Sequence, residues 1–179
     1  SPTPLTTHYT AATGDHGILT RYVGGTFMLT ETDGTQYYFR ADGKLDFVRD
    51  TNGNRINCTY TGANLTGLTH SSGQSHTLAY NGAGRITSVT DNDGRQSLYT
   101  YDASNQHLLS VQDYDGRVTS YSYLTGQGAA REHALSEIAF ADGSHRYYTY
   151  DGHGRLASTS RDGGAEAITF SYDTAGTVT

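Results

Sequence analysis

The side chains able to do chemistry in this 179-residue chain are eight histidines, one cysteine and a series of acidic turns. His8, His16, His70, His76, His107, His133, His145 and His153 fall in turns and at polar strand positions, where imidazoles are surface groups. Asp, Ser and His abound, but no spacing selects one hydrolytic triad over another. There is no G-x-S-x-G elbow, H-E-x-x-H pair, P-loop or Cys-His zinc spacing, so the expectation is no catalytic centre and no cofactor. The turns "DTNGN", "DNDGR" and "DYDGR" place Asp50 and Asn52, Asp91 and Asp93, and Asp113 and Asp115 two residues apart. Calcium wants about six to eight oxygens, and one such turn supplies only part of a set. Turn formation is therefore the first reading of these acids, and calcium held by pooled turns the second. Cys58 stands where other repeats carry Tyr or Leu, which marks a buried small hydrophobe and not a reactive thiolate. "NCT" at Asn57 and "NLT" at Asn64 fit the N-glycosylation acceptor pattern.

What positions these groups is a repeat. Each apolar residue that opens a strand is followed eight positions later by a glycine: Leu45 and Gly53, Leu65 and Gly73, Ile86 and Gly94, Leu108 and Gly116, Leu135 and Gly143, Leu156 and Gly164. Seven positions beyond the first five glycines stand Tyr60, Tyr80, Tyr101, Tyr123 and Tyr150; the sixth relation slips by one to Tyr172, and Phe39 holds the same place at the start. A fixed period of about 20–22 residues means one supersecondary unit used repeatedly. Within a unit the pattern alternates: Tyr37, Cys58, Leu78, Tyr99, Tyr121, Tyr148 and Phe170 precede the anchor ring by two, with small or polar residues between, Tyr38 excepted. Period two is a strand with its rings on one face. Asn-Gly and Asp-Gly supply the tight hairpin turns. Each unit thus reads as strand, turn, strand, turn. Lys44, Arg85 and Arg155, which enter the following strand, are placed to cover an aromatic face with stem and charge.

Composition agrees. Gly, Tyr, Thr and Ser dominate and there is no Trp, a strand-and-turn balance with few helix formers. The net charge of −6, without a basic block, argues against nucleic acid as a partner. No apolar run is long enough to span a bilayer as a helix. A lone cysteine excludes an internal disulfide framework.

The phrases "YDGHGRLASTSRDGG", "YNGAGRITSVTDNDG" and "FRADGKLDFVRDTNGN" resemble the repeats of the Rhs or YD-repeat family, over roughly residues 26 to 179. The resemblance implies long antiparallel sheets that curl or spiral into a hollow shell, as in secreted bacterial polymorphic toxins, insecticidal toxin complexes and animal teneurins. Departures occur: "TGANL" after Tyr60 is one residue short, "YDASNQHL" lacks the Gly-Arg pair and is one residue long, and Tyr172 opens a unit that stops at Thr179. Toxin-bearing relatives end their repeats with an Asp-Pro-rich cleavage motif, whereas both prolines here are Pro2 and Pro4.

The fold expected is therefore an all-β antiparallel hairpin-repeat array, with an N-terminal arm and irregular strands over 1–25 and the array over 26–179, its last repeat incomplete. Between Tyr123 and Leu135 the usual gap grows by six residues. Insertions in repeats form loops on one face, which makes residues 124–134, with Arg131, Glu132 and His133, the candidate recognition loop. Phe170 and Tyr172 mark a strand edge open to assembly by strand addition. The function expected is a non-enzymatic, secreted or cell-surface structural protein, either a wall segment of an Rhs-like shell or a subunit joined head-to-tail through its arm at residues 1–5. Its partners would be further copies or the rest of a larger Rhs-like protein. The alternative is a binding module that holds glycans with exposed tyrosines and the 124–134 loop.

Overall fold

The computed structural model describes residues 4–9, 12–14, 16–173, 176 and 178. The chain divides into two compact units, residues 1–80 with 89–95, and residues 81–88 with 96–179. The first holds β1 (Pro4–Tyr9), β2 (Ile18–Tyr22), β3 (Phe27–Thr30), β4 (Gln36–Phe39), β5 (Leu45–Arg49), β6 (Arg55–Thr61), β7 (Asn64–His70) and β8 (Ser75–Tyr80). The residues of β9 (Ile86–Asp91) fall in both units. The second holds β10 (Gln96–Tyr101), β11 (Leu108–Gln112), β12 (Val118–Tyr123), β13 (Leu135–Ala139), β14 (His145–Tyr150), β15 (Leu156–Arg161) and the short β16 (Ile168–Thr169). From β1 to β8, and again from β10 to β16, each strand pairs antiparallel with the next. Among the described residues the sole helical element is a 3-10 turn at Asp162–Gly164. This is an all-β hairpin-repeat array. Of the arm expected at residues 1–5, residues 1–3 lie outside the described residues and Pro4 already belongs to β1.

The turns are more uniform than the dipeptides suggest. In "DTNGN" the Asp50 N–H donates to the Asn54 carbonyl and the Gly53 N–H to the Asp50 carbonyl; the same two bonds recur around Arg40, Asn81, Asp91, Asp113, Phe140 and Asp151. This is a type I turn closed by one left-handed residue, in place of the two-residue turns that Asn-Gly and Asp-Gly favour. Only the glycine needs positive φ, for Asn52, Asp93 and Asp115 do not have it. The leading carboxylate completes the turn from the side. Asp50 Oδ1 accepts from the Asn52 and Asn54 N–H groups, and Asp113 Oδ1 from those of Asp115 and Arg117. The leading carboxylates of Asp50, Asp91 and Asp113 thus face their own backbone, Asp93 and Asp115 pair with Arg95 and Arg117, and among the described residues no cluster of three or more His, Cys, Asp or Glu is arranged to hold a metal.

These bonds predict acid lability. Asn54 holds Asp50 below the ordinary carboxyl range, Arg117 does so for Asp113, and Ser144 for Asp142. A carboxyl whose folded pKa is depressed stabilises fully above its unfolded pKa and ceases to as pH falls through the folded one. The array is expected to keep its midpoint in denaturant down to about pH 4 and to lose stability steadily below it. Circular dichroism in urea at stepped pH checks this.

The second regular feature is a bulge. In register, Tyr38 faces Phe47 but Phe39 faces Leu45, which leaves Asp46 extra. The shift repeats at Thr66, Leu109, Ser136 and Ala157, in each case in the hairpin that follows an anchor ring. The hairpins β5–β6, β7–β8, β11–β12 and β13–β14 stay in register. A bulge interrupts the ladder and turns the local carbonyls out of line. That is where the tyrosines go: Tyr60 donates its hydroxyl to the Leu45 carbonyl at 2.9 Å, Tyr80 to Leu65 at 2.6 Å, Tyr123 to Leu108 at 3.1 Å, Tyr150 to Leu135 at 2.8 Å and Tyr172 to Leu156 at 2.8 Å. The rings of Tyr60, Tyr123 and Tyr150 each pair forward with one apolar residue across their own bulge and bond backward to the preceding one. The constant step of eight and then seven residues is the reach of that hydroxyl.

No described side chain is fully buried, and the most enclosed apolar one is Cys58, at 6% exposure. Burial pushes its thiol pKa up, as expected of a packed, unreactive cysteine. The anchor rings are half-buried while Thr59, Ala79, Thr100, Ser122 and Thr149 between them are exposed. The alternation is thus present. Among the described residues the hydrogen bonds of the ladder and the ring contacts carry the fold, with no enclosed core to share the load.

Candidate functional site

The six-residue enlargement after Tyr123 forms a folded loop. Leu124 N–H donates to the Ala134 carbonyl at 2.8 Å and His133 N–H to the Leu124 carbonyl at 3.1 Å, so the loop's ends are clasped together. Glu132 turns inward and accepts from the Gly126 N–H at 2.8 Å. His133 sits at φ 68°, a left-handed conformation that aims its ring out of the loop.

That ring meets His107. Nδ1 of His133 lies 2.7 Å from Nε2 of His107, and the two rings are 4.7 Å apart. Nδ1 of His107 lies 2.8 Å from Asp102 Oδ2, which also accepts from the Ser104 hydroxyl at 2.7 Å. In the neutral tautomer of His107 that gives its Nδ1 proton to Asp102, Nε2 presents a lone pair to which His133 donates. The His107 bond, then the Ser104 one, holds the Asp102 carboxyl well below the usual range. His107 in turn packs over Tyr123, ring centres 4.5 Å apart. It occupies the place of Lys44 over Tyr60 at 5.2 Å and of Arg155 over Tyr172 at 4.3 Å, as the cover expected over an anchor ring. Asn105, at φ 58°, takes the glycine's role in this longer turn and accepts at its carbonyl from Arg85. On its other side the loop presses on the turn at 151–155: a Cβ on Gly154 would stand 1.9 Å from the Ala130 carbonyl oxygen.

The loop is therefore a clasp between two turns. Removing its imidazole donor is expected to loosen it. A loss of about 1 kcal/mol raises the open population about fivefold, and tryptic cleavage after Arg131 in His133→Ala is expected to speed up by that factor relative to the parent. Timed digestion followed by mass analysis reads the cut directly.

The RHS Repeat family profile matches residues 60–96 and 80–106. Residues 60–106 are thus similar to RHS repeats. The match falls on the hairpins whose tyrosines and bulges are described above. In backbone fold the array is similar to the structure titled Crystal Structure of TcdB2-TccC3-TEV, with a TM-score of 0.52 and 14% identity over 89% of this chain and 12% of that one. A Photorhabdus luminescens Tc holotoxin pore gives a TM-score of 0.47 and 16% identity over 87% of this chain and 12% of that one. The chain thus spans about an eighth of the length of these structures. No curated protein matches it in sequence.

The three residues singled out on the loop have different situations. Glu132 and His133 are engaged in holding it, whereas the half-buried Arg131 has a guanidinium with no partner among the described residues. At the candidate assembly edge, the Phe170 N–H donates to the Ala157 carbonyl at 2.9 Å and Tyr172 forms a bridge with Val178. The Asp102–His107–His133 chain was missed from sequence. Its available signal was that His107 stands one residue beyond the slot that holds Lys44, Arg85 and Arg155 after their anchor rings.

Proposed function

We propose that this chain is a non-enzymatic structural module, a segment of an extracellular Rhs-like wall that works by presenting a continuous hairpin array to further copies or to the rest of a larger protein. The observation that supports it best is the recurring hydroxyl-to-carbonyl bond at each bulge. At Tyr60, Tyr80, Tyr123, Tyr150 and Tyr172 it ties a hairpin to the one before without an enclosed core, which suits a wall. The half-buried rings supply a face that a wall would cover, and assembly by strand addition would have to use the side of this last strand that faces away from Ala157 or displace the Tyr172–Val178 bridge. Light scattering from dilute to concentrated solution, combined with iodide quenching of tyrosine fluorescence, tests this reading. Mass is expected to grow with concentration while quenching falls; a monomer at every concentration with unchanged quenching would sink the proposal.

A second reading, a glycan-binding module, is favoured by Arg131 on the clasped loop, which is unpaired among the described residues. It requires a glycan-array signal for the parent that disappears in Arg131→Ala.

A further inference from the structure

On the other face of the first unit the register sets two arginines directly opposite one another. Arg49 on β5 pairs with Arg55 on β6, while Gln36 on β4 faces Arg49 and Tyr38 faces Phe47. Tyr38 and Phe47 stack, ring centres 4.1 Å apart and planes 19° apart. Arg55 lies on Phe47 at 3.5 Å and Arg49 over Tyr38 at 5.6 Å. This explains why Tyr38 breaks the alternation: its ring belongs to this column and not to the anchor face.

The column leaves two cations without a counter-charge. Arg40, Arg95, Arg117, Arg146, Arg155 and Arg161 each reach a carboxylate. Among the described residues Arg49 and Arg55 reach none. Arg49 donates Nε and Nη2 to Gln36 Oε1 at 3.2 and 2.6 Å, and Nη2 also to the Tyr38 hydroxyl at 3.2 Å. The guanidinium of Arg55 donates to nothing, and its Nε is buried and unsatisfied. Asp50, in the turn joining these strands, is occupied by Asn52 and Asn54. Like charges directly opposite on neighbouring strands are destabilising, and in a chain of net charge −6 carboxylates were plentiful. An open groove of about 310 Å³, lined by Gln36, Arg49, Asp50 and Thr51 with Gly34 and Gly53, lies alongside.

The geometry points to a binding site for an oxyanion group, a sulfate or phosphate, between Arg49 and Arg55. Nη1 of Arg49 and both Nη atoms of Arg55 are the donors left to it, and charge-assisted bonds from two guanidiniums suit a tetrahedral anion approached from two sides. The stacked rings brace the guanidiniums, and their mutual repulsion is relieved when the anion enters.

Thermal unfolding of the whole chain in sodium sulfate, in sodium phosphate and in sodium chloride of equal ionic strength tests the proposal. Sulfate or phosphate is expected to raise the midpoint where chloride does not. Arg49→Gln and Arg55→Met are each expected to weaken the anion about tenfold; Arg49→Gln leaves the Arg55 stack on Phe47 intact and covers the case where Arg55→Met fails to fold. Without anion, the variants that fold are expected to be no less stable than the parent, because one of two repelling charges is gone. A sulfated oligosaccharide that binds more tightly than free sulfate identifies the group as one carried on a larger ligand; equal affinity identifies the free ion. A shift that is the same in chloride, or unchanged in both variants, overturns the site.

Discussion

Gly154→Ala is expected to destabilise the second unit by about 2–5 kcal/mol, against about 1–2 kcal/mol for Gly143→Ala in a turn of the same type. Both glycines sit in the left-handed region, at φ 79° and 83°. Both substitutions therefore cost the crowding of a Cβ against its own backbone. What separates them is the neighbour. At Gly143 a Cβ meets nothing within 4 Å, whereas at Gly154 it falls 1.9 Å from the Ala130 oxygen and 2.8 Å from the carbonyl carbon. The obstacle is backbone, and it belongs to the clasped loop, which cannot retreat without pulling His133 from His107. Gly154→Ala is thus expected to show a second effect that Gly143→Ala lacks: faster tryptic cleavage after Arg131. Urea unfolding gives the first quantity and timed digestion the second. Equal losses in the two variants, with no change in cleavage, would mean that the loop does not rest on this turn.

Much of this was legible in the sequence because the repeat is written in residue types that act locally. Glycine supplies the left-handed turn position, tyrosine marks the anchor, and alternation marks the strand. The spacing between Leu45 and Tyr60 could be counted, but its cause could not be read. The bulge residues Asp46, Thr66, Leu109, Ser136 and Ala157 share no chemistry, since a bulge is a property of register and not of a side chain. Where one residue is inserted before Tyr172, the 3-10 turn at Asp162–Gly164 takes up the slack and the hydroxyl still reaches Leu156. The backbone absorbed the irregularity and the bond was kept. The loop at 124–134 was visible as an insertion, yet its hold on the array was not. His107 and His133 lie 26 residues apart, and nothing local to either names the other. The turn acids were legible too: turn formation was their first reading, and the oxygens of Asp50 and Asp113 are spent on the N–H groups of the turns they begin.

The bond at the bulge makes a sharper prediction at Tyr60, where the ring also carries two cations, Arg40 at 4.9 Å and Lys44 at 5.2 Å. Tyr60→Ala is expected to cost about 2–4 kcal/mol, less than a fully buried aromatic because the ring is half-exposed, with lost packing and the lost cation contacts as the main parts. Tyr60→Phe keeps the ring and both cations and removes only the hydroxyl. It is expected to cost about 1 kcal/mol, since the Leu45 carbonyl loses a donor at a place where the ladder offers no substitute. Alkaline titration asks the same question without a mutation. Burial is the main cause that holds the Tyr60 phenol above its ordinary pKa. A phenol whose folded pKa is raised stabilises fully below its unfolded value, about 10, and ceases to as pH rises through the folded one. The stability gap between the parent and Tyr60→Phe is therefore expected to be constant at neutral pH and to close as the phenol ionises, because a phenolate has no proton to give Leu45. If Tyr60→Phe matches the parent at every pH, the hydroxyl is an ornament on a packing residue. The fifteen-residue step from Leu45 to Tyr60 would then have to be explained by ring packing alone, and ring packing does not explain why the Tyr172 hydroxyl still finds Leu156 across sixteen.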